Sequence, residues 1–105
     1  MVVTAVRPDA AGSVVTLTGR VDGATVATCR EVLHRAVDEG TGVLVVDLTD
    51  VVLVDAIGLG MLFGTARRAG RAGRPMVLRG TPPRVARLLR VLGLDGVLPA
   101  EDAVP

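Results

Sequence analysis

Three carboxylates, those of Asp47, Asp50 and Asp55, follow one another closely after the apolar segment Gly42–Val46. If they gather at one end of a sheet, they supply the oxygen ligands that a hard cation prefers. Aspartate is equally suited to capping helices and closing turns. We expect these structural roles, so the sequence predicts no metal site here.

Cys29 and His34 are the only thiol and the only imidazole of the chain. Residues five apart on a helix point to different faces. Cys29 falls on an apolar stripe, and His34 falls on the exposed side. Because a zinc site needs three or four protein ligands, this pair predicts neither metal binding nor nucleophilic catalysis. The single cysteine excludes an internal disulfide and fits a reducing cytoplasm.

Three glycines, Gly58, Gly60 and Gly64, superficially match a dinucleotide-binding fingerprint. That fingerprint needs its glycines in the turn before a helix. Here Asp55 is expected to cap the helix first, so the glycines lie inside it at about 1 kcal/mol each. Close packing of helix on sheet is the expected reason for them. With no lysine in the chain, a phosphate-binding loop of the Gly-Lys-Ser/Thr type is also excluded. We predict no cofactor and no enzymatic activity.

Composition fits one domain of 105 residues, with a core over 1–98 and a frayed tail at 99–105. Half of the residues are apolar, and Phe63, the only aromatic, is expected in the core. No apolar run reaches the roughly 20 residues that span a bilayer, so no membrane insertion is predicted.

Eight of the twelve arginines lie between Arg67 and Arg90, with no acid among them. A solvated basic face is the expected result. An anion or nucleotide site there stays open, whereas nucleic-acid binding is not expected without aromatic platforms.

Turn residues divide the chain into alternating strands and helices. The predicted strands are Val2–Arg7, Ser13–Gly19, Gly42–Leu48, Pro75–Arg79 and a short one near Val97–Leu98. Between Leu48 and Asp55 the sequence predicts a turn and a second short extended run. The predicted helices are Thr25–Glu39, Ala56 to about Ala72, and one that Thr81 caps and that buries Val85, Leu88, Leu89 and Leu92. The short first connection predicts an antiparallel hairpin. The third strand lacks alternation, which is typical of a central strand covered on both faces. Parallel βαβ units follow.

These elements and several motifs resemble the STAS domain of bacterial anti-sigma factor antagonists. The motifs are Leu17–Asp22, Asp47–Thr49, Asp55–Leu59 and Pro82–Leu94. The resemblance implies an α/β fold, with a small mixed sheet and about three helices. In that family a serine in the first turn of the second helix is phosphorylated by a partner kinase. Here Ile57 occupies that position and Ala56 precedes it, so neither can accept a phosphoryl group. Thr49, Thr65 and Thr81 are the nearby hydroxyls, and none is expected to replace the serine.

The resemblance implies a non-catalytic regulator of sigma factors that docks on a kinase-type anti-sigma factor through the start of the second helix. The residues predicted to contact the partner are Asp22, Thr49, Asp55, Ala56, Ile57, Gly58, Leu59 and Met61. Ile57 is either part of a permanent apolar contact or a scattered surface residue. The alternative function is a structural subunit of a lipid-transport or signalling assembly that contacts an ATPase. A weak homodimer through a free sheet edge is also open.

Overall fold

Over residues 4–9 and 12–101, the fold consists of four strands and three helices. The computed structural model describes residues 4–9 and 12–101, with side chains from residue 13 onward. The elements, in chain order, are β1 Thr4–Asp9, β2 Gly12–Val21, α1 Val26–Glu39, β3 Val43–Val54, α2 Ala56–Arg71, β4 Met76–Arg79 and α3 Pro83–Val91. The first two residues of the predicted strand Val2–Arg7 lie outside the described residues.

The strands form one sheet in the order β1-β2-β3-β4. β1 pairs antiparallel with β2, whereas β2 with β3 and β3 with β4 pair in parallel. The predicted hairpin and the parallel βαβ units are therefore confirmed. In this arrangement the end of β2 and the end of β3 lie side by side, with Val21 opposite Val54. The turns that lead into α1 and α2 therefore start at the same edge of the sheet.

The main hydrophobic core lies between one face of the sheet and the helices. Its members include the sheet residues Val15, Leu17, Leu44, Val46 and Leu48, together with Cys29, Leu33, Leu59, Leu62, Val85 and Leu89 from the helices. Val14, Val45 and Val77 form a smaller cluster on the other face, to which no described helical residue belongs. The consecutive burial of Leu44–Val46 agrees with a central strand covered on both faces, but only in this first half of β3.

β3 is longer than the sequence predicts. The sequence predicts a strand that ends at Leu48, then a turn and a second short extended run, yet β3 runs to Val54 without a break and stays paired with β2 throughout. Two shifts in register, one after Thr16 and one after Gly19, let β3 carry extra residues opposite β2. Such bulges bend a strand without ending it. The polar residues near Thr49 therefore sit in a bulge, where the prediction placed a turn.

α3 starts later and buries less than expected. Pro82 occupies the cap position with no side-chain cap hydrogen bond, so the prediction that Thr81 caps the helix is wrong. Val85 and Leu89 are buried, but Leu88 and Leu92 are 40% and 54% exposed. Of the four residues predicted to be buried, only Val85 and Leu89 therefore pack into the core, because Leu88 is turned toward an open groove beside the end of β3.

The segment after α3 is held against β4. Leu78 donates its N–H to the carbonyl of Pro99 at 2.8 Å and forms an isolated parallel bridge with Ala100. Glu101 pairs with Arg79 at 2.7 Å. The residues from Pro99 to Glu101 therefore lie against β4, and this bridge at Ala100 is found in place of the predicted strand near Val97–Leu98. Residues 102–105 of the predicted tail lie outside the described residues.

Candidate functional site

Asp55 caps α2. Its Oδ1 accepts the backbone N–H of Gly58 at 2.8 Å, and its carbonyl accepts the first helical N–H from Leu59, also at 2.8 Å. Val54 and Leu59 pack into the same core on either side of the cap, as a hydrophobic staple does. The helix start is thus fixed by one carboxylate and two apolar side chains, as the sequence indicates.

Gly58 lets the first turn of α2 rest directly on the end of β2. A Cβ at this position would lie 2.8 Å from the carbonyl carbon of Val21 and 3.0 Å from its Cγ1. The same carbonyl group accepts the N–H of Asp55 at 3.3 Å. No side chain fits between the helix and the strand, so this glycine is required by contact distance.

Asp55 also holds the turn between β2 and α1. Its Oδ2 accepts the N–H of Gly23 at 3.4 Å, a bond between residues 32 positions apart. Within that turn, Asp22 accepts the N–H of Ala24 at 3.0 Å, and the Thr25 hydroxyl donates to the carbonyl of Arg20 at 2.8 Å. Since each Asp55 oxygen accepts one backbone N–H, a single carboxylate joins the two turns into one surface.

Ile57 projects from this surface into solvent. Its side chain is 56% exposed, and its Cδ1 lies 3.2 Å from the position that a Cβ on Gly23 would occupy. The isoleucine therefore lies over the turn between β2 and α1. Val52 and Leu53, shortly before the cap, are also exposed, at 78% and 41%. Three large apolar side chains thus face solvent within six residues of β3 and α2.

Five of the eight residues predicted to contact a partner come together here. They are Asp22, Asp55, Ala56, Ile57 and Gly58. Leu59 and Met61 are instead in the core, 7% and 5% exposed, so a partner cannot reach their side chains in this fold.

Thr49 lies apart from this group. It is six residues before Asp55 on an extended strand, which places it roughly 20 Å away. Its hydroxyl and N–H both donate to Asp47 within the bulge, and its Cα lies 3.0 Å from a Cβ built on Gly80. Thr49 therefore lies against the connection that follows β4, away from the start of α2.

Gly23 and Val21 contribute to the site although the sequence gives no sign of it. The Asp-Gly pair at 22–23 predicts a break between strand and helix. Nothing in that pair shows that the turn meets a helix start 32 positions later. The contact follows from the parallel pairing of β2 with β3, which no local pattern contains.

Gly60 and Gly64 differ from Gly58. The sequence predicts that they pack against the sheet, but both are exposed, and a Cβ on either would meet no atom within 4 Å. The prediction is wrong, because the 3.6-residue period turns Gly58 inward and the other two outward. They leave α2 with a flat outer face that begins at Ile57. Phe63 is likewise half-buried and lies outside the core.

The sequence predicts that the arginines from Arg67 to Arg90 form one basic face, but the structure does not place them on a single face. Arg74 is 4% exposed and donates to the carbonyls of Ala36, Val37 and Gly42 at 2.7, 3.1 and 2.9 Å. Its guanidinium also donates to the hydroxyl of Ser13 at 3.2 Å. The side chain ties the end of α1 to the sheet, and burial lowers the pKa of its guanidinium.

Two further arginines of this stretch are in ion pairs. Arg68 donates to both oxygens of Asp38, at 3.2 and 2.8 Å, and this bond lowers the pKa of the carboxyl. Arg79 binds Glu101 in the same two-pronged way and lowers the pKa of that carboxyl. The remaining arginines are exposed and divided between two helices: Arg67, Arg71, Arg84, Arg87 and Arg90.

Cys29 and His34 have no shared site. Cys29 is fully buried, and burial raises the pKa of its thiol. His34 is half-buried on α1, and desolvation with the nearby Arg68 lowers the pKa of its imidazole. Within residues 13–101 no three histidine, cysteine or acidic side chains are placed to hold a metal ion. Over the described residues, no helix is long and apolar enough to cross a membrane.

Known proteins resemble this chain in sequence and fold. An anti-sigma-B factor antagonist of Staphylococcus aureus (strain NCTC 8325 / PS 47) is 30% identical over 80 residues, which are 76% of this chain and 74% of the relative. The crystal structure of an anti-sigma factor antagonist from Mycobacterium paratuberculosis superposes with a TM-score of 0.82 at 25% identity, covering 95% of this chain and 85% of that one.

The anti-sigma factor antagonist SpoIIAA, in its unphosphorylated form, has the same fold. Its TM-score is 0.75 at 19% identity, over 97% of this chain and 93% of that one. The family model described as "Mlab, STAS domain" matches residues 4–99. The match spans the strands, the helices and both turns of the site. The chain belongs to the STAS domain family.

Proposed function

We propose that this protein is a non-catalytic regulator that docks on a kinase-type anti-sigma factor in the cytoplasm. The docking surface consists of the turn at Asp22–Gly23 and the start of α2 at Asp55–Gly58. The observation that carries the proposal is the half-exposed Ile57 at the first turn of α2. The relatives support the class of partner, because they are anti-sigma factor antagonists.

The surface is suited to binding because its backbone is held in place. Asp55 fixes both turns through bonds to Gly58 and Gly23, and Gly58 seats the helix on Val21. A rigid surface loses little conformational freedom when a partner docks. Ile57 then supplies the apolar contact. Burying its exposed half contributes about 1–1.5 kcal/mol, half of the value for complete burial of such a side chain.

The same residue removes the usual switch. A phosphoserine at the first turn of a helix carries nearly two negative charges and would repel a partner that accepts a neutral side chain there. Isoleucine carries no hydroxyl, so docking at this position does not respond to phosphorylation of residue 57. The protein is then controlled through its amount, its location or a further partner.

The second candidate is a structural subunit of a lipid-transport or signalling assembly that docks on an ATPase. The absence of a hydroxyl at Ile57 and at Ala56 favours a contact that is never switched off, as a permanent subunit needs. Both candidates use the same surface and differ in the partner.

The substitution Ile57→Ser tests the proposal. A kinase-type anti-sigma factor from the same organism, incubated with ATP, should phosphorylate the Ile57→Ser variant and leave the wild type and an Ile57→Ala control unlabelled. Mass spectrometry locates the phosphate. Binding of the Ile57→Ser variant without phosphate transfer would show that residue 57 does not occupy the acceptor position.

A further inference from the structure

A second exposed apolar surface lies between α3 and the end of β3, and Ile57 is not among the residues that line it. A groove of about 420 Å³ runs between the end of β3 and the start of α3. Its walls are Val52, Leu53, Val54, Pro82, Pro83, Arg84, Val85 and Leu88. Beyond the groove, Val91 and Leu92 are 76% and 54% exposed. With Leu88, they follow the spacing of one helix face.

Positive charge lies beside the groove on α3. Arg84, Arg87 and Arg90 are exposed on α3, and α3 contains no acidic residue. Within the described part of the chain, none of the three is in an ion pair. Arg90 lies on the other side of α3, because the 3.6-residue period turns it away from Leu88 and Leu92. We name the groove together with Leu88, Val91, Leu92, Arg84 and Arg87 the α3 surface.

We propose that the α3 surface binds an acidic amphipathic helix of a partner protein. The groove accepts the apolar side chains of such a helix, and the carboxylates that flank these side chains pair with Arg84 and Arg87. A helix that lies in a groove contributes apolar residues at helical spacing. Complementary charge fixes its direction and suppresses wrong partners. The proposal does not depend on which protein docks at Ile57.

A second copy of this chain does not fit the α3 surface. Among the described residues, α1 is the only helix with carboxylates, and Glu31 and Asp38 already pair with Arg35 and Arg68. Its third carboxylate, that of Glu39, stands alone at the last position of the helix. A bilayer fits less well than a helix, because a lipid surface does not fill a concave groove. The expected partner is therefore a protein segment with its own unpaired acids.

Peptide binding tests the proposal directly. The probe is a synthetic helical peptide of about four turns, with leucines along one face and glutamates beside them. Amide NMR spectra of the full chain should shift at residues 52–54 and along α3 when this peptide is added. A matched peptide with lysine at each glutamate position should leave the spectra unchanged, as should vesicles of phosphatidylglycerol.

Variants separate the two contributions to binding. Leu88→Asp should abolish peptide binding, and joint substitution of Arg84 and Arg87 by Gln should weaken it about fivefold, as two exposed ion pairs predict. The control, Arg67→Gln with Arg71→Gln, removes two exposed arginines of α2 and should bind as the wild type does. Thermal unfolding verifies that each variant is folded.

Three outcomes would overturn the proposal. They are no binding of the acidic peptide, equal binding of the acidic and basic peptides, and binding that the substitutions of Arg84 and Arg87 leave unchanged. Binding of the vesicles without binding of the peptide would assign the α3 surface to anionic lipid.

Discussion

Substitution of Gly58 by alanine should destabilise the protein, although alanine is the better helix former. The added Cβ would lie 2.8 Å from the carbonyl carbon of Val21 and 3.0 Å from its Cγ1. Overpacking of this kind costs about 1–3 kcal/mol. If α2 moves away, the bond from Asp55 N–H to Val21 is also weakened, at about 0.5–1.5 kcal/mol.

The alanine recovers part of this cost. Replacing glycine inside a helix gains about 1 kcal/mol in helix propensity. The expected net loss for Gly58→Ala is therefore about 1–3 kcal/mol. For a domain of this size, that loss lowers Tm by roughly 5–20 °C. Urea unfolding followed by circular dichroism measures the free energy of unfolding.

Gly60→Ala is the matched control. Its Cβ would meet no atom within 4 Å, so only the propensity gain remains and the variant should be about 1 kcal/mol more stable. The two substitutions are chemically identical, lie two positions apart on one helix and should have opposite signs. Equal stability changes for both, or a stabilised Gly58→Ala, would refute the close contact between α2 and Val21.

Three further predictions concern polar residues. Arg74→Met should lower the free energy of unfolding, measured in urea, by about 3 kcal/mol or more, because it leaves buried carbonyls without a hydrogen-bond donor. The control Arg71→Met, at an exposed position, should change this free energy by under about 0.5 kcal/mol. An Arg74→Met variant as stable as the wild type would contradict the buried role of Arg74. Asp38 should titrate by NMR below its ordinary pKa of 3.8 and return toward it in Arg68→Gln. Because folding lowers the pKa of Asp38, the ion pair stabilises the protein above the pKa of the unfolded state, and this stabilisation is lost as the pH falls through the pKa of the folded state. The free energy of unfolding of Arg68→Gln should therefore fall less steeply in acid than that of the wild type. Equal slopes for the two proteins would exclude the pair. Asp55→Ala should cost about 1 kcal/mol through loss of the cap, measured by urea unfolding, and no loss would exclude the cap.

Local patterns were sufficient to predict the element order and the cap of α2. Each of these predictions rests on residues of one element or turn: the apolar run of β3, the apolar stripe of α1 and the cap Asp55. Parallel pairing then follows from the alternation of strands and helices. These features depend on short-range spacing, which is fully present in the sequence.

Features that depend on long-range packing were missed. The bulges that carry β3 past Leu48 have no local signature, and the exposure of Leu88 and Leu92 depends on how much of α3 the core covers. Arg74 resembles its neighbours in sequence but is buried among carbonyls that come from α1 and the segment after it. The contact of Gly23 with Asp55 likewise requires knowledge of which turns meet at the sheet edge.

Docking through Ile57 is tested most directly by capture from the native cell extract. The tagged wild type, Ile57→Asp and Val97→Asp are compared, and mass spectrometry identifies what each retains. Val97 is an exposed apolar residue beside β4 and the start of β3, so it serves as a matched control. We expect the wild type and Val97→Asp to retain a kinase-type anti-sigma factor and Ile57→Asp to lose it. Retention of that partner by Ile57→Asp would contradict docking at the start of α2, and a transport ATPase in its place would favour the structural subunit.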